Sequence, residues 1–147
     1  MHELSHAVGL KHPHDKGLFD QPRFPGLTHR SNEFRDKGDF DQNSQPVTQL
    51  TYIDKGARNG MVPESIEAYG FLQTPGALDT AALQWMYGIN PDAASGDDTY
   101  TLPLENREGT GWRAIWDTGG VDRITAAGAR APVTIDLRNA TLGDDVN

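Results

Sequence analysis

An α+β fold is what this sequence predicts, and three observations carry the prediction. Apolar residues recur at helical spacing in two stretches, residues 2–9 and 74–88. From residue 99 onward the period changes to two. Between these lie long runs rich in Pro, Gly, Asp and Asn, which read as loops.

The first helix carries chemistry. Residues four apart on a helix share a face, so His2 and His6 present two imidazoles to one point. His12 would sit about 240° away around the axis if the helix continued. Gly9 lets the helix stop and the chain turn back, because glycine takes positive φ cheaply. His12 then reaches the same point from outside the helix. Three nitrogen ligands with one position left for water is how catalytic Zn²⁺ is held. Glu3 stands beside His2, close to that water, where a carboxylate can take its proton and later return it to a leaving amine. The short His2-Glu3-x-x-His6 pattern alone is weak, since surface helices often carry such residues. With Gly9 and His12 added, a chance match is on the order of one in ten thousand or rarer. His14 and His29 fit no template and read as solvated loop histidines.

Residues 13–47 lack periodicity, as in Lys37-Gly38-Asp39 and Asn43-Ser44-Gln45-Pro46, and predict a long functional or ion-stabilised loop. Residues 53–67 continue irregularly, with Gly56, Gly60 and Pro63 as breakers. Thr74-Pro75 reads as a helix start, with Thr74 as N-cap. Leu78, Ala81, Ala82, Trp85 and Met86 then follow at helical spacing as a core stripe, and Gly88 closes the helix. Residues 90–98 read as a linker. Trp112, Ala114 and Trp116 alternate with Arg113, Ile115 and Asp117, and Val133, Ile135 and Leu137 with Thr134, Asp136 and Arg138. Short strands with one buried face are expected there. Asp117 and Asp122 flank Gly119-Gly120, a tight turn able to aim oxygens at Ca²⁺; the alternative is a plain hairpin turn with solvated aspartates.

The 147 residues carry a formal charge of −8, which argues against nucleic acid and against anionic membrane surfaces. Excess aspartate favours hard cations, although acidity serving solubility alone is the blander reading. Hydrophobic content of 36% is low for a compact core. No apolar run reaches membrane-spanning length, and the absence of cysteine removes disulfides and thiolate metal sites. The metal motif fills residues 2–12, leaving no signal peptide there.

His2 to Pro13 reads H-E-x-x-H-x-x-G-x-x-H-P, the metzincin signature, with the proline that marks the serralysin branch. Three more stretches resemble serralysins, the secreted bacterial metzincins. Thr48-Gln49-Leu50-Thr51-Tyr52 resembles the Met-turn, with Leu50 where methionine is usual. Residues 68–88 resemble the last catalytic-domain helix, with its L-D-x-A-A-L-Q-x-x-Y-G pattern, and Trp116 to Asp122 resembles the W-D-x-G-G-x-D head of a calcium-binding β-roll. The resemblance runs from residue 2 to about residue 125. It implies that residues 1–90 are the C-terminal part of a catalytic domain and residues 91–147 the start of a β-rich calcium-binding domain.

It further implies a zinc endopeptidase acting on protein or peptide substrates, secreted and extracellular, a monomer, with Zn²⁺ and Ca²⁺ bound. His2, His6 and His12 would be zinc ligands and Glu3 the general base. Tyr52 would be a weak zinc ligand that stabilises the oxyanion, the alternative being an ordinary buried tyrosine. Leu50 would form a slightly altered floor under the zinc. Calcium would take the carbonyls of Ala94, Gly96 and Gly119 with Asp98, Asp117 and Asp122, and Gly120 with Asp122 would begin a second site. Ala94 and Asp98 depart from the family's arginine and threonine, changes that a carbonyl ligand tolerates. No complete G-G-x-G-x-D repeat is present. The family's upstream sheet and supporting helix lie before the zinc helix, so the chain is expected to be an internal piece of a larger peptidase or a shortened product. The competing expectation is an inactive remnant serving as a calcium-binding module.

Overall fold

The computed structural model describes residues 1–15, 24–53, 71–105, 110–130, 132, 133, 135 and 137. The stretch around Gly56, Gly60 and Pro63 lies outside the described residues, as do Thr134, Asp136 and Arg138. The order of elements is α1 (His2–Ala7), a single 3-10 turn (Asp39–Asp41), α2 (Ala77–Tyr87), β1 (Thr99–Thr101) and β2 (Arg123–Thr125).

Helix α1 ends where the sequence predicts. Val8 is its C-cap and Gly9 has φ +99. The Gly9 amide donates to the His6 carbonyl at 2.9 Å and the Leu10 amide to the Ser5 carbonyl at 3.0 Å. These are the two bonds of a Schellman cap, which reverses the chain direction within one turn.

Among the described residues the core is small and mostly polar. Leu10, Leu27, Leu50, Ile53 and Leu72 are its buried apolar residues. Around them Asn43, Ser44, Gln45, Thr48, Gln49, Thr51 and Asp79 are also buried. The long loop therefore runs inward in part, and irregular backbone under cover must find partners. Side chains supply them. Asn43 Nδ2 donates to the Asp36 carbonyl at 2.8 Å, Ser44 Oγ to that of Asp41 at 2.6 Å and Thr51 Oγ1 to that of Asn43 at 3.2 Å. Gln45 Oε1 accepts from the Leu72 amide at 3.2 Å.

Helix α2 departs from expectation at two points. Its N-cap is Gly76, with the Gly76 amide donating to Asp79 Oδ2 at 2.8 Å, half of a capping box. Thr74 is spent elsewhere: its hydroxyl accepts from the Ala114 amide at 2.9 Å and donates to the Ala114 carbonyl at 3.2 Å. The predicted core stripe is half wrong. Trp85 is 88% exposed and Met86 is exposed as well. Helical spacing marks a stripe without supplying the layer that covers it, and the face turned inward is the one bearing buried Asp79.

Strands β1 and β2 pair in parallel, Thr99 with Arg123, Tyr100 with Ile124 and Thr101 with Thr125. This parallel pair of short strands makes a β-roll-like region after α2. A parallel bridge from Leu72 to Trp112 ties it to the segment before α2. Beyond Trp112 the alternation does not become a strand among the described residues. Trp116, Val133, Ile135 and Leu137 are exposed, so period two is present there without a buried face.

Candidate metal centre

Helix α1 places His2 and His6 on one face, and the Schellman cap returns His12 to them. The three Nε2 atoms stand 3.2 Å (His2–His6), 3.2 Å (His2–His12) and 3.0 Å (His6–His12) apart. Nitrogens at about 2.0–2.1 Å from a tetrahedral ion lie roughly 3.3–3.4 Å from one another, so the spacing suits one small divalent cation.

The opposite ring nitrogens settle the tautomers. His2 Nδ1 faces the Gln49 carbonyl at 2.8 Å, and His6 Nδ1 faces the Leu10 carbonyl at 2.8 Å. A carbonyl can only accept, so both Nδ1 atoms carry the proton. His12 Nδ1 faces Asp15 Oδ1 at 3.2 Å, again an acceptor. Three Nε2 lone pairs therefore converge with no donor among them, an arrangement that a cation relieves. The donor set fits Zn²⁺.

A second segment, residues 48–52, packs against α1. Leu50 is 2% exposed in the stretch predicted to form the floor. Gln49 binds α1 twice: its carbonyl takes His2, and its Nε2 donates to the hydroxyl of buried Ser5. The buried Asp79 carboxylate fixes this segment from the other side. It accepts from Thr48 Oγ1 at 2.5 Å, from the Gln49 amide at 2.8 Å and from the Gly76 amide at 2.8 Å. Tyr87 of α2 donates its hydroxyl to the Val8 carbonyl at 2.7 Å.

Tyr52 is 39% exposed rather than an ordinary buried tyrosine. Its ring lies 4.6 Å from that of His12, 6.1 Å from that of His2 and 5.7 Å from that of Phe34, centroid to centroid. Glu3 is exposed in the first turn of α1, adjacent to His2. An open cleft of about 600 Å³ lies beside His2, walled by Phe34, Tyr52, Phe71 and Leu72.

His14 is not the solvated histidine expected from its loop. Its ring stacks on His12 at 4.8 Å and lies 4.4 Å from Tyr52. Burial, followed by the neighbouring His12, pushes its pKa below the ordinary imidazole value. Its Nδ1 is buried without a hydrogen-bond partner among the described residues. Sequence reasoning also missed Asp15, Gln49 and Asp79. The turn residue Pro13 hinted at Asp15, since proline in the second place of a turn brings its fourth residue back to the first. The other two make their contacts at the site across 30 to 47 residues of sequence and leave no spacing signal. His29 is exposed, as expected.

His12, His14 and Asp15 also bring ligand atoms within 4.8 Å of one another, beside the triad, and a separate cluster lies in the β region. Carboxylate oxygens of Asp98, Asp117 and Asp122 approach one another within 4.8 Å. The loops that carry them touch backbone to backbone, since a Cβ on Gly120 would stand 2.0 Å from the Gly96 carbonyl oxygen. Ala94 has φ +49, Gly119 lies against the Ser95 carbonyl, and the Thr118 amide donates to the Ala93 carbonyl at 3.1 Å. The Asp98 amide donates to Asp122 Oδ1 at 3.0 Å. Tyr100 donates its hydroxyl to Asp117 Oδ2 at 2.5 Å. That bond, with the Gly119 amide second, holds the Asp117 carboxyl below the usual carboxylate range, and it pushes Tyr100 up to about 12. The strands that flank this cluster, β1 and β2, run parallel.

Among the described residues no helix is long and apolar enough to cross a membrane. No family model matches the chain, and no solved structure matches it. Curated proteins do. The chain is 26% identical over 153 residues to a serralysin of Proteus mirabilis, covering 98% of this chain and 28% of that protein. It is 25% identical over 154 residues to the metallopeptidase AprA of Pseudomonas marginalis, covering 97% and 30%. It is 24% identical over 155 residues to serralysin G of Dickeya chrysanthemi, covering 97% and 28%. The chain thus spans less than a third of the length of these relatives. The alignments run nearly end to end and make this chain similar to serralysins, and the converging histidine triad and β-roll-like strand pair accord with that similarity.

Proposed function

We propose that the chain carries the zinc centre of a serralysin-type endopeptidase that hydrolyses protein or peptide substrates. The observation that carries this reading is the set of three Nε2 atoms within 3.0–3.2 Å, each ring fixed from behind by an acceptor. His2, His6 and His12 hold the ion, and Tyr52 joins them as a weak ligand. The ion, when bound, supplies Lewis acidity toward the scissile carbonyl and acidifies water.

The remaining work belongs to the chain. The Gln49 and Leu10 carbonyls and the Asp15 carboxylate keep the protons on Nδ1, so the three Nε2 lone pairs stay available. Glu3 takes the proton of the attacking water on its carboxylate and delivers it to the leaving amine nitrogen. The Tyr52 hydroxyl donates to the substrate oxygen as negative charge develops there. The cleft beside His2 receives the neighbouring substrate residues. No covalent intermediate with the protein is needed.

We assign calcium to the β-region cluster, through Asp98, Asp117 and Asp122 with the carbonyls of Ala94, Gly96 and Gly119. Gly120 with Asp122 begins a further site. Calcium there supplies a cross-link between residues 94–98 and 117–122. Residues 1–90 form the catalytic part and residues 91–147 the start of the calcium-binding part of a secreted, extracellular, monomeric peptidase.

Casein cleavage by wild type and by Glu3→Ala, with zinc measured in both, tests the reading. One zinc in each and cleavage only in wild type is the expected result, with a loss of about 10²–10⁴-fold from removing the base. A folded, zinc-loaded wild type that cleaves nothing makes the chain a metal-binding module.

A further inference from the structure

Three acceptors stand behind the three histidines, and one differs in kind. Gln49 and Leu10 offer backbone carbonyls, whereas Asp15 offers a carboxylate. His12 also differs from its partners in having no helix to orient it. Its position comes from the turn His12–Asp15, closed by the Asp15 amide donating to the His12 carbonyl at 3.1 Å. Asp15 then grips His12 at two points. Oδ2 accepts from the His12 backbone amide at 3.0 Å, and Oδ1 faces the ring Nδ1 at 3.2 Å.

We infer that Asp15 is a positioning residue for metal binding, which sets the tautomer and ring orientation of His12. This rests on the zinc reading above. Fixing amide and ring of one residue by the two oxygens of a single carboxylate removes both the rotation of the side chain and the choice of tautomer. An ionised acceptor behind an imidazole also makes the opposite nitrogen a better donor to a cation. The His12 side chain is 16% exposed, so the contact is partly shielded from water on the ring's side. Loss of such a contact typically weakens metal binding by about 10–100-fold.

Zinc affinity by chelator competition on wild type, Asp15→Asn and Asp15→Ala reads the effect. Asp15→Ala is expected to bind one zinc about 10–100-fold more weakly. Asp15→Asn retains an acceptor oxygen without the charge and should fall between the two. The imidazole ¹⁵N shifts of the metal-free protein add a readout that loop folding alone does not move. In wild type His12 should carry its proton on Nδ1, and in Asp15→Ala the tautomers should mix.

Wild-type zinc binding with Asp15→Ala within twofold of it overturns the inference and leaves the zinc centre intact. So does an Nε2-protonated His12 in the metal-free wild type. A second equivalent of zinc that disappears with Asp15 also overturns it, since Asp15 would then be a ligand beside His12 and His14. Failure of wild type to take up zinc overturns the metal centre itself and this inference with it.

Discussion

Tyr52 stands over the histidine triad as a half-exposed ring, free to change its contact without unpacking a core. A Tyr52→Phe variant should keep one zinc and lose about 10²–10³-fold in turnover, the usual cost of one oxyanion donor. Steady-state kinetics alongside metal analysis check it, and unchanged turnover would remove the assigned role. Leu50 is a matter of packing. Since Leu and Met occupy similar volumes, Leu50→Met should shift stability by less than about 1.5 kcal/mol and leave zinc content alone, as chemical denaturation can show. The triad itself was legible in the sequence, because a helix of fixed pitch and one glycine determine where three imidazoles meet. The stacking of His14 was not legible, and Asp15 was legible only as the last residue of the turn that Pro13 starts. A ring that stacks and a carboxylate that reaches back across a turn depend on how the loop closes, which residue types alone do not encode.

Helix α2 and the segment at residues 48–49 meet at Asp79, and Gln49 carries that segment on to α1. Three donors end on one buried carboxylate, from Thr48, Gln49 and Gly76. Asp79→Ala leaves all three unsatisfied at about 1–3 kcal/mol each, so a loss on the order of 3 kcal/mol or more is expected in denaturant unfolding. Full retention of stability would mean that water replaces the carboxylate. Helix existence was readable from spacing and from Gly88, yet the cap moved two residues and Trp85 faces solvent. The cap shift has a long-range origin. Thr74 is drawn into pairing with Ala114, a contact forty residues away that local pattern cannot anticipate.

Over the whole molecule, the β region depends on two loops meeting at Gly96 and Gly120 with three carboxylates alongside. Calcium binding only the folded form at one hundred times its dissociation constant would add about 2.7 kcal/mol, seen as a rise in melting temperature that chelation reverses. No shift would leave the aspartates without an ion. The Tyr100–Asp117 bond gives a pH test in calcium-free solution. Tyr100 is raised, so its contribution is complete below the free tyrosine value of about 10 and is lost as pH climbs toward 12. Asp117 is lowered, so its contribution is present above the free carboxyl value and vanishes as pH falls through its folded one. Ultraviolet titration should show a late-ionising tyrosine in wild type that is absent in Asp117→Asn. Parallel pairing was hidden in the sequence, since alternation announces strands but is silent about direction. The aspartate–glycine spacing was open to view.

The Asp79 junction has a reciprocal side. Because Gln49 touches His2 through its carbonyl and Asp79 through its backbone amide, one residue joins the triad to the start of α2. Thermodynamic linkage is symmetrical, so whatever factor the intact junction adds to zinc affinity, zinc must return to the junction. Amide protons at the head of α2 should therefore exchange with deuterium more slowly once the ion is in place, although none of them touches it.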